Sequence, residues 1–196
     1  MAAEEPGVPI PRLAERLTMR LWRLAFPLAL LATAGHGTAV AANDMSYVAG
    51  PAVVIDASHL EVAGQRLKLY GIDAPDADET CKSAKDEDYP CGVEARAALQ
   101  ALVKTTPQVE CLPRGPNQMN EMMATCSAGK TDLAKALVTA GWAIADRPRT
   151  LYYEDDELAA RTAKRGLWQG RFIAPQAWRS GTRKLPPKNE SPLGVF

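Results

Sequence analysis

The alternation of apolar and polar positions predicts that the folded part of the chain begins with a β-meander. Short runs rich in β-forming residues are separated by turn-like pairs such as Ala57-Ser58 and Ala63-Gly64. Runs of this length divided by turn residues are typical of antiparallel strands. The strand-like runs are residues 52–56, 60–62, 66–72, 108–112, 123–127 and 142–145.

Three other segments space their apolar residues at the helical period. Residues 92–104 form the first, and Pro107 blocks its continuation. Residues 133–140 form the second, which Asp132 can cap and Gly141 can end. The third, residues 154–165, is strongly charged. The pattern therefore predicts an α+β domain in which a barrel-like sheet comes first and helices pack on it.

The first 42 residues have the pattern of a secretory signal peptide. Arg20 and Arg23 precede an apolar run, residues 24–34, that is too short to span a bilayer, and small residues follow as far as Ala42. Translation that starts at Met19 would account for the residues in front. An uncleaved membrane anchor is the alternative. After processing we expect no membrane span and a periplasmic or secreted protein.

The remaining length suits one domain, expected over residues 50–179, with a mobile proline-containing tail at 180–196. Lys plus Arg and Asp plus Glu both number 23, which excludes a global cationic field that would attract nucleic acid. Any site for a polyanion must therefore be local. We expect a monomer.

Four cysteines in an exported chain favour disulfides over free thiols, and four allow three pairings. Cys111 and Cys126 each belong to a short β-like run, which favours their pairing across two strands. That pairing would leave Cys81 to meet Cys91 across a polar loop.

Several separate motifs occur in an order that resembles the staphylococcal nuclease-like (thermonuclease) family, in its exported bacterial type. The segments that carry the resemblance are residues 54–60, 70–76, 91–96, 140–143 and 164–168. The resemblance covers residues 52–178. It implies a five-stranded OB-fold barrel with about three packed helices, two local disulfides and calcium-dependent nuclease activity.

By this resemblance, calcium is held by two aspartates, and the catalytic base is a glutamate. Asp73 matches the second aspartate, but the first falls on Ser58, which is neutral and shorter in reach. We therefore expect weak calcium binding, because hard cations prefer charged oxygen ligands. The base position falls on Asp76, whose carboxylate is withdrawn by one methylene.

The two arginines that clamp the phosphate in the family are also replaced. The first position is Lys68, which lacks the two-pronged contact of guanidinium. The second is Glu121, which would repel a phosphate. Tyr152 and Tyr153 match aromatic residues near the bound nucleotide, although packing of the last helix explains them equally well.

These substitutions predict an exported domain that has lost efficient catalysis and binds single-stranded nucleic acid or an envelope protein. The first alternative is a slow metal-dependent phosphodiesterase that uses Asp73, Asp76 and Lys68. The second is a purely structural envelope protein. Nucleic-acid binding that weakens steeply with salt would distinguish the binding domain from the purely structural protein.

Overall fold

A computed structural model describes residues 47–188, 190 and 192–193 of this chain. They belong to one unit, Ala42–Phe196. The predicted signal peptide and the start at Met19 lie outside the described residues. Among the residues described, no helix is both long and apolar enough to cross a bilayer.

Short strands dominate the first two thirds of the described chain, and helices dominate the last third. In chain order the elements are β1 (Val48–Gly50), β2 (Ala52–Val54), β3 (His59–Val62), β4 (Gln65–Leu69), β5 (Ile72–Asp73), β6 (Cys81–Lys82), β7 (Asp88–Tyr89), α1 (Cys91–Val103), β8 (Val109–Pro116), β9 (Met122–Ala128), β10 (Thr131–Asp132), α2 (Leu133–Thr139), β11 (Ile144–Ala145), α3 (Glu154–Thr162), a 3-10 helix at Gly166–Gln169, and α4 (Pro175–Arg179).

The main sheet has seven strands in the order β1-β8-β9-β4-β3-β2, with β10 paired to β9. The predicted meander is confirmed, because β2, β3 and β4 pair antiparallel in sequence. Strand β4 then pairs parallel with β9, where Lys68 lies opposite Met123. Two small sheets, β5 with β11 and β6 with β7, lie outside this path.

The predicted α+β class is confirmed, whereas the predicted five-stranded OB-fold barrel is found only in part, as a sheet that does not close into a barrel. The sheet has seven strands, and its path ends at β1 on one side and β2 on the other. These edge strands are separated in sequence only by the exposed Pro51. Strand β1 was not predicted, since the first predicted run starts at residue 52. Because proline has no N–H to donate, pairing is interrupted at Pro51, and β1 pairs with β8 while β2 pairs with β3.

The helices α1 and α2 match their predicted positions. Asp132 caps α2, and its side chain accepts a hydrogen bond from the Lys135 N–H at 2.9 Å. Helix α3 ends at Thr162, three residues earlier than predicted, and Lys164 takes a left-handed backbone with φ 52°. Helix α4 was not predicted, since five residues are too few to show a period.

The hydrophobic core lies between the main sheet and helices α1 and α2. Removal of such side chains from water stabilises the fold by roughly 1.5–3 kcal/mol for each large residue. The largest aliphatic side chains fully buried in this core are Leu60, Leu67, Leu69, Ile72, Leu99, Leu133 and Leu137.

Both predicted disulfides are present, and all four cysteines are buried. Cys111 and Cys126 lie directly opposite each other on β8 and β9, with their Cα atoms 4.0 Å apart. Cys81 on β6 and Cys91 at the start of α1 have Cα atoms 5.6 Å apart. One disulfide therefore braces the main sheet, and the other closes the loop in front of α1.

Candidate functional site

The structure gathers the predicted catalytic and metal positions into two groups of side chains. We call the first the His59 cluster, which contains Asp56, Ser58, His59, Lys68 and Glu121. We call the second the Arg179 cluster, which contains Asp73, Asp76, Glu79 and Arg179.

Asp56 organises the turn between β2 and β3. Its Oδ1 accepts hydrogen bonds from the backbone N–H groups of Ser58 and His59, each at 2.8 Å. Burial alone would raise the pKa of Asp56, but hydrogen bonds from His59 and Ser58 outweigh it and lower the pKa to about 2. Asp56 therefore holds the turn in place as a permanent anion at neutral pH.

The imidazole of His59 lies between two carboxylates. Its Nδ1 is 2.9 Å from Asp56 Oδ2, and its Nε2 is 3.4 Å from Glu121 Oε1. Among the residues described, His59 Nε2 has no hydrogen-bond partner. Its contact with Glu121 is an ion pair only when the imidazole is protonated.

The set Ser58, His59 and Asp56 does not form a nucleophilic triad. Ser58 Oγ lies 3.1 Å from His59 Nδ1, the same ring nitrogen that contacts Asp56. A triad needs the serine on one ring nitrogen and the carboxylate on the other, so that the imidazole can take the hydroxyl proton while the carboxylate orients it. These three residues stabilise the turn instead.

Glu121 is held firmly at the start of β9. The Asn117 side-chain amide donates to Glu121 Oε2 at 2.7 Å, and Asn117 Oδ1 accepts the Glu121 N–H at 2.9 Å. The hydrogen bond from Asn117 lowers the pKa of Glu121, with further lowering by the charges of His59 and Lys68. A negative charge is therefore fixed at the position that matches the second phosphate clamp.

Lys68 joins the same cluster from β4. It lies opposite His59 in the β3–β4 ladder, and its Nζ donates to Ser58 Oγ at 3.4 Å. The structure thus brings Ser58, Lys68 and Glu121 together, as the resemblance requires of their positions. In place of two guanidinium groups the cluster offers one ammonium and one carboxylate.

In the second cluster a single arginine bridges two carboxylates. Arg179 Nη2 lies 2.5 Å from Asp73 Oδ1, and Arg179 Nη1 lies 3.1 Å from Asp76 Oδ1. Burial alone would lower the pKa of Arg179, but the two carboxylates raise it overall. Charge-assisted hydrogen bonds of this kind are about twice as strong as neutral ones, and they fix both carboxylates.

Glu79 lies beneath this bridge and is 2% exposed. Its Oε1 accepts the Asp76 N–H at 2.9 Å. Burial raises the pKa of Glu79 to about 7, although the Asp76 N–H and the Arg179 charge act in the opposite direction. Glu79 consequently exchanges a proton close to neutral pH.

The loop that carries Asp76 packs on a glycine at the start of α1. A Cβ atom at Gly92 would lie 1.8 Å from the carbonyl oxygen of Asp76, so no other residue fits without displacing the loop. The Gly92 N–H also donates to the Glu79 carbonyl at 3.3 Å. This contact gives a structural reason for the glycine in the 91–96 segment.

The segment in front of Arg179 is anchored to the loop closed by Cys81 and Cys91. The backbones of Lys82 and Arg171 exchange two hydrogen bonds, at 2.8 and 3.1 Å. Phe172 is buried in the small core that includes both of these cysteines. Helix α4 begins three residues later at Pro175 and carries Arg179 at its end.

The side chains present do not offer calcium a ready set of ligands. Calcium takes 6–8 oxygen ligands, at about 2.3–2.6 Å. Asp73 is bound by Arg179, while the Ser58 hydroxyl contacts Asp56, His59 and Lys68. Among the residues described, no group of three or more His, Cys, Asp or Glu side chains is placed to hold a metal ion. Weak calcium binding stays a prediction.

The two tyrosines predicted near a nucleotide have different surroundings. Tyr152 is 69% exposed, whereas Tyr153 is 2% exposed. The Tyr153 hydroxyl donates to Asp132 Oδ2 at 3.2 Å, and its ring packs against Gly71. Packing therefore accounts for Tyr153, and only Tyr152 presents a ring to solvent.

Comparison with known proteins agrees with this fold. Residues 66–170 match the family described as staphylococcal nuclease homologue, and the chain belongs to that family. A curated relative is the succinoglycan biosynthesis protein ExoI of Rhizobium meliloti (strain 1021), which is 29% identical over 124 residues. That alignment covers 62% of this chain and 65% of the relative's length.

Sequence reasoning missed Arg179 and Glu79. Arg179 follows several other positive charges late in the chain, a pattern typical of a solvated helix face, and its partners are 103 and 106 residues away. Glu79 has exposed neighbours at Asp78 and Thr80, so nothing local indicates its burial. The one sequence feature that points to burial of Glu79 is the nearby Cys81, whose disulfide with Cys91 holds this loop against the core.

Proposed function

We propose that this chain is an exported member of the staphylococcal nuclease homologue family that has lost efficient catalysis and acts as a binding module for nucleic acid or a protein. The observation that carries the proposal is the fixed carboxylate of Glu121 beside His59. It stands at the position that, by the family resemblance, should hold a cation on the phosphate.

The physical case rests on where charge develops in phosphodiester hydrolysis. Negative charge spreads over the phosphate oxygens in the transition state, and preorganised cations stabilise it. A carboxylate at that position repels the phosphate both before and during the reaction. Of the two clamp positions, only the one at Lys68 retains a positive charge, and Lys68 already donates to Ser58.

Two further observations support the proposal. Both disulfides lie in the buried part of the fold, which suits a protein that matures in an oxidising compartment. In addition, the name of the relative ExoI refers to succinoglycan biosynthesis and not to a nuclease. A role other than nucleic-acid cleavage would agree with that name.

The first test is cleavage of single-stranded DNA and RNA by the mature protein, in calcium and in chelator. The parent is compared with a variant that combines Ser58→Asp, Lys68→Arg, Asp76→Glu and Glu121→Arg, with and without Arg179→Gln. We expect an inactive parent and cleavage by a restored variant. Robust calcium-dependent cleavage by the parent, abolished by Asp73→Ala, would instead support the slow phosphodiesterase.

The second test is binding of single-stranded DNA, measured by fluorescence anisotropy over a series of salt concentrations. Phosphate contacts release counterions, so binding should weaken steeply as salt rises. Tyr152→Ala should weaken it because a stacking surface is lost, while Tyr47→Ala removes a similarly exposed tyrosine and serves as the control. Absence of binding to nucleic acid and to envelope proteins would favour a structural role.

A further inference from the structure

We propose that the guanidinium of Arg179 neutralises the carboxylates of Asp73 and Asp76 and thereby prevents calcium from binding to them. The inference rests on the proposed loss of the catalytic site. Its test measures calcium binding instead of cleavage, so the two proposals can fail separately.

The first step is the charge balance of the Arg179 cluster. Asp73, Asp76 and Glu79 lie close enough that, in addition to burial, the charges of the two aspartates raise the pKa of Glu79, and like charges repel more strongly when little water lies between them. Arg179 places one nitrogen on Asp73 and the other on Asp76. The Asp73 side chain is 14% exposed and that of Arg179 is 34% exposed, so water screens the contact with Asp73 only in part.

The second step is that Arg179 and calcium compete for the same oxygen. Calcium binds a carboxylate oxygen at about 2.3–2.6 Å. Asp73 Oδ1 already has a guanidinium nitrogen 2.5 Å away. A divalent cation on that oxygen would lie against another positive charge, so calcium can bind there only after Arg179 leaves.

The third step is that Arg179 is held near its partners by the fold. The Lys82–Arg171 backbone bridge and the buried Phe172 fix the chain in front of α4. Arg179 therefore competes as an intramolecular ligand, whose effective concentration does not fall when the protein is diluted.

The experiment is a calcium titration of the mature protein by calorimetry, together with thermal unfolding in calcium and in chelator. If Arg179 occupies the pair about 99% of the time, it raises the apparent Kd for calcium about 100-fold. The Arg179→Gln variant should therefore bind calcium up to about 100-fold more tightly than the parent. Its Tm should rise on addition of calcium, while that of the parent stays unchanged.

Two variants serve as controls. Arg183→Gln removes a neighbouring arginine that donates to the carbonyls of Trp178 and Thr182, and it should leave calcium affinity unchanged. Adding Asp73→Asn to Arg179→Gln should abolish the gain, because the carboxylate that binds the ion is lost.

Three outcomes would overturn the proposal. The first is a folded Arg179→Gln protein that binds calcium no more tightly than the parent. The second is a parent whose own Tm rises with calcium in a way that depends on Asp73. The third applies if Arg179→Gln unfolds in chelator: calcium should then restore its folding, and failure to do so contradicts the assignment.

Discussion

On the proposed function, the His59 and Arg179 clusters differ from the family's nuclease site in different ways. In the His59 cluster, Ser58 and Glu121 stand where the family resemblance implies an aspartate and an arginine. In the Arg179 cluster Asp73 and Asp76 keep their charges, and both are bound by an arginine that is distant in sequence. On that proposal, catalysis is lost in one cluster by replacement of its groups and in the other by occupation of them.

The difference matters for how each loss could be reversed. Restoring the His59 cluster requires new charges at several coupled positions, while its turn remains held by Asp56. In the Arg179 cluster, removal of one side chain frees both carboxylates. We therefore expect the second cluster to regain cation binding more readily than the first regains phosphate binding.

The largest effect on the free energy of unfolding is expected from removal of a disulfide. Each of the two clusters lies near a different disulfide. Cys111–Cys126 braces the hairpin that leads to Glu121, and Cys81–Cys91 closes the loop that follows Glu79. Replacing both cysteines of either pair by alanine should lower the free energy of unfolding by about 2 to 5 kcal/mol, measured by urea denaturation.

The calcium response should then separate the two pairs. Loss of Cys81–Cys91 should loosen the segment that positions Arg179 and so tighten calcium binding, whereas loss of Cys111–Cys126 should not. Equal calcium responses in the two variants would show that the loop does not hold Arg179 in place.

A second effect concerns the protonation of Glu79. Its pKa is 4.5 in an ordinary setting and about 7 in the fold. The folded protein thus binds the proton on Glu79 more tightly than the unfolded chain does. The protonated carboxyl therefore contributes its whole stabilisation of the fold below pH 4.5, and this contribution is lost as pH rises through 7. The shift corresponds to about 3 kcal/mol.

The Glu79→Gln variant should therefore lose stability less steeply than the parent between pH 4.5 and 7. Urea denaturation at several pH values measures this difference. Glutamine keeps an oxygen that can accept the Asp76 N–H, so the fold should be preserved. The control is Glu61→Gln, which changes an exposed carboxylate on β3. Parallel pH profiles for Glu79→Gln and the parent would contradict the prediction.

A smaller effect is expected at Asp56, in the other cluster. Its pKa is lowered from 3.8 to about 2, so the carboxylate stabilises the fold above pH 3.8 and this contribution is lost as pH falls to 2. Asp56→Asn should cost about 2 kcal/mol at neutral pH, because it removes the charge from the hydrogen bonds to Ser58 and His59.

The same variant should approach the stability of the parent below pH 3.8. Thermal unfolding across the acid range measures this convergence. Asp78→Asn, at an exposed position, is the matched control and should have little effect. A constant difference between Asp56→Asn and the parent at every pH would show that the charge is not the stabilising feature.

Local patterns were enough to predict a large part of the fold. The meander followed from short runs and turns, and the Asp132 cap followed from a polar residue directly before a helical period. The cysteine pairing followed from two β-like runs that later proved to lie opposite each other. The family resemblance also placed Ser58, Lys68 and Glu121 near one another.

The features that the sequence did not predict depend on contacts between distant segments. Pairing is interrupted at Pro51, and the partners of β1 and β2 are set by the whole sheet. Glu79 is buried only because its loop closes onto α1, and burial is what raises its pKa. Arg179 meets Asp73 across 106 residues, where helical or strand periodicity carries no information. The sequence alone determined the secondary-structure elements and the family. Tertiary packing decided which charged side chains form ion pairs, because ion pairing depends on distances in space.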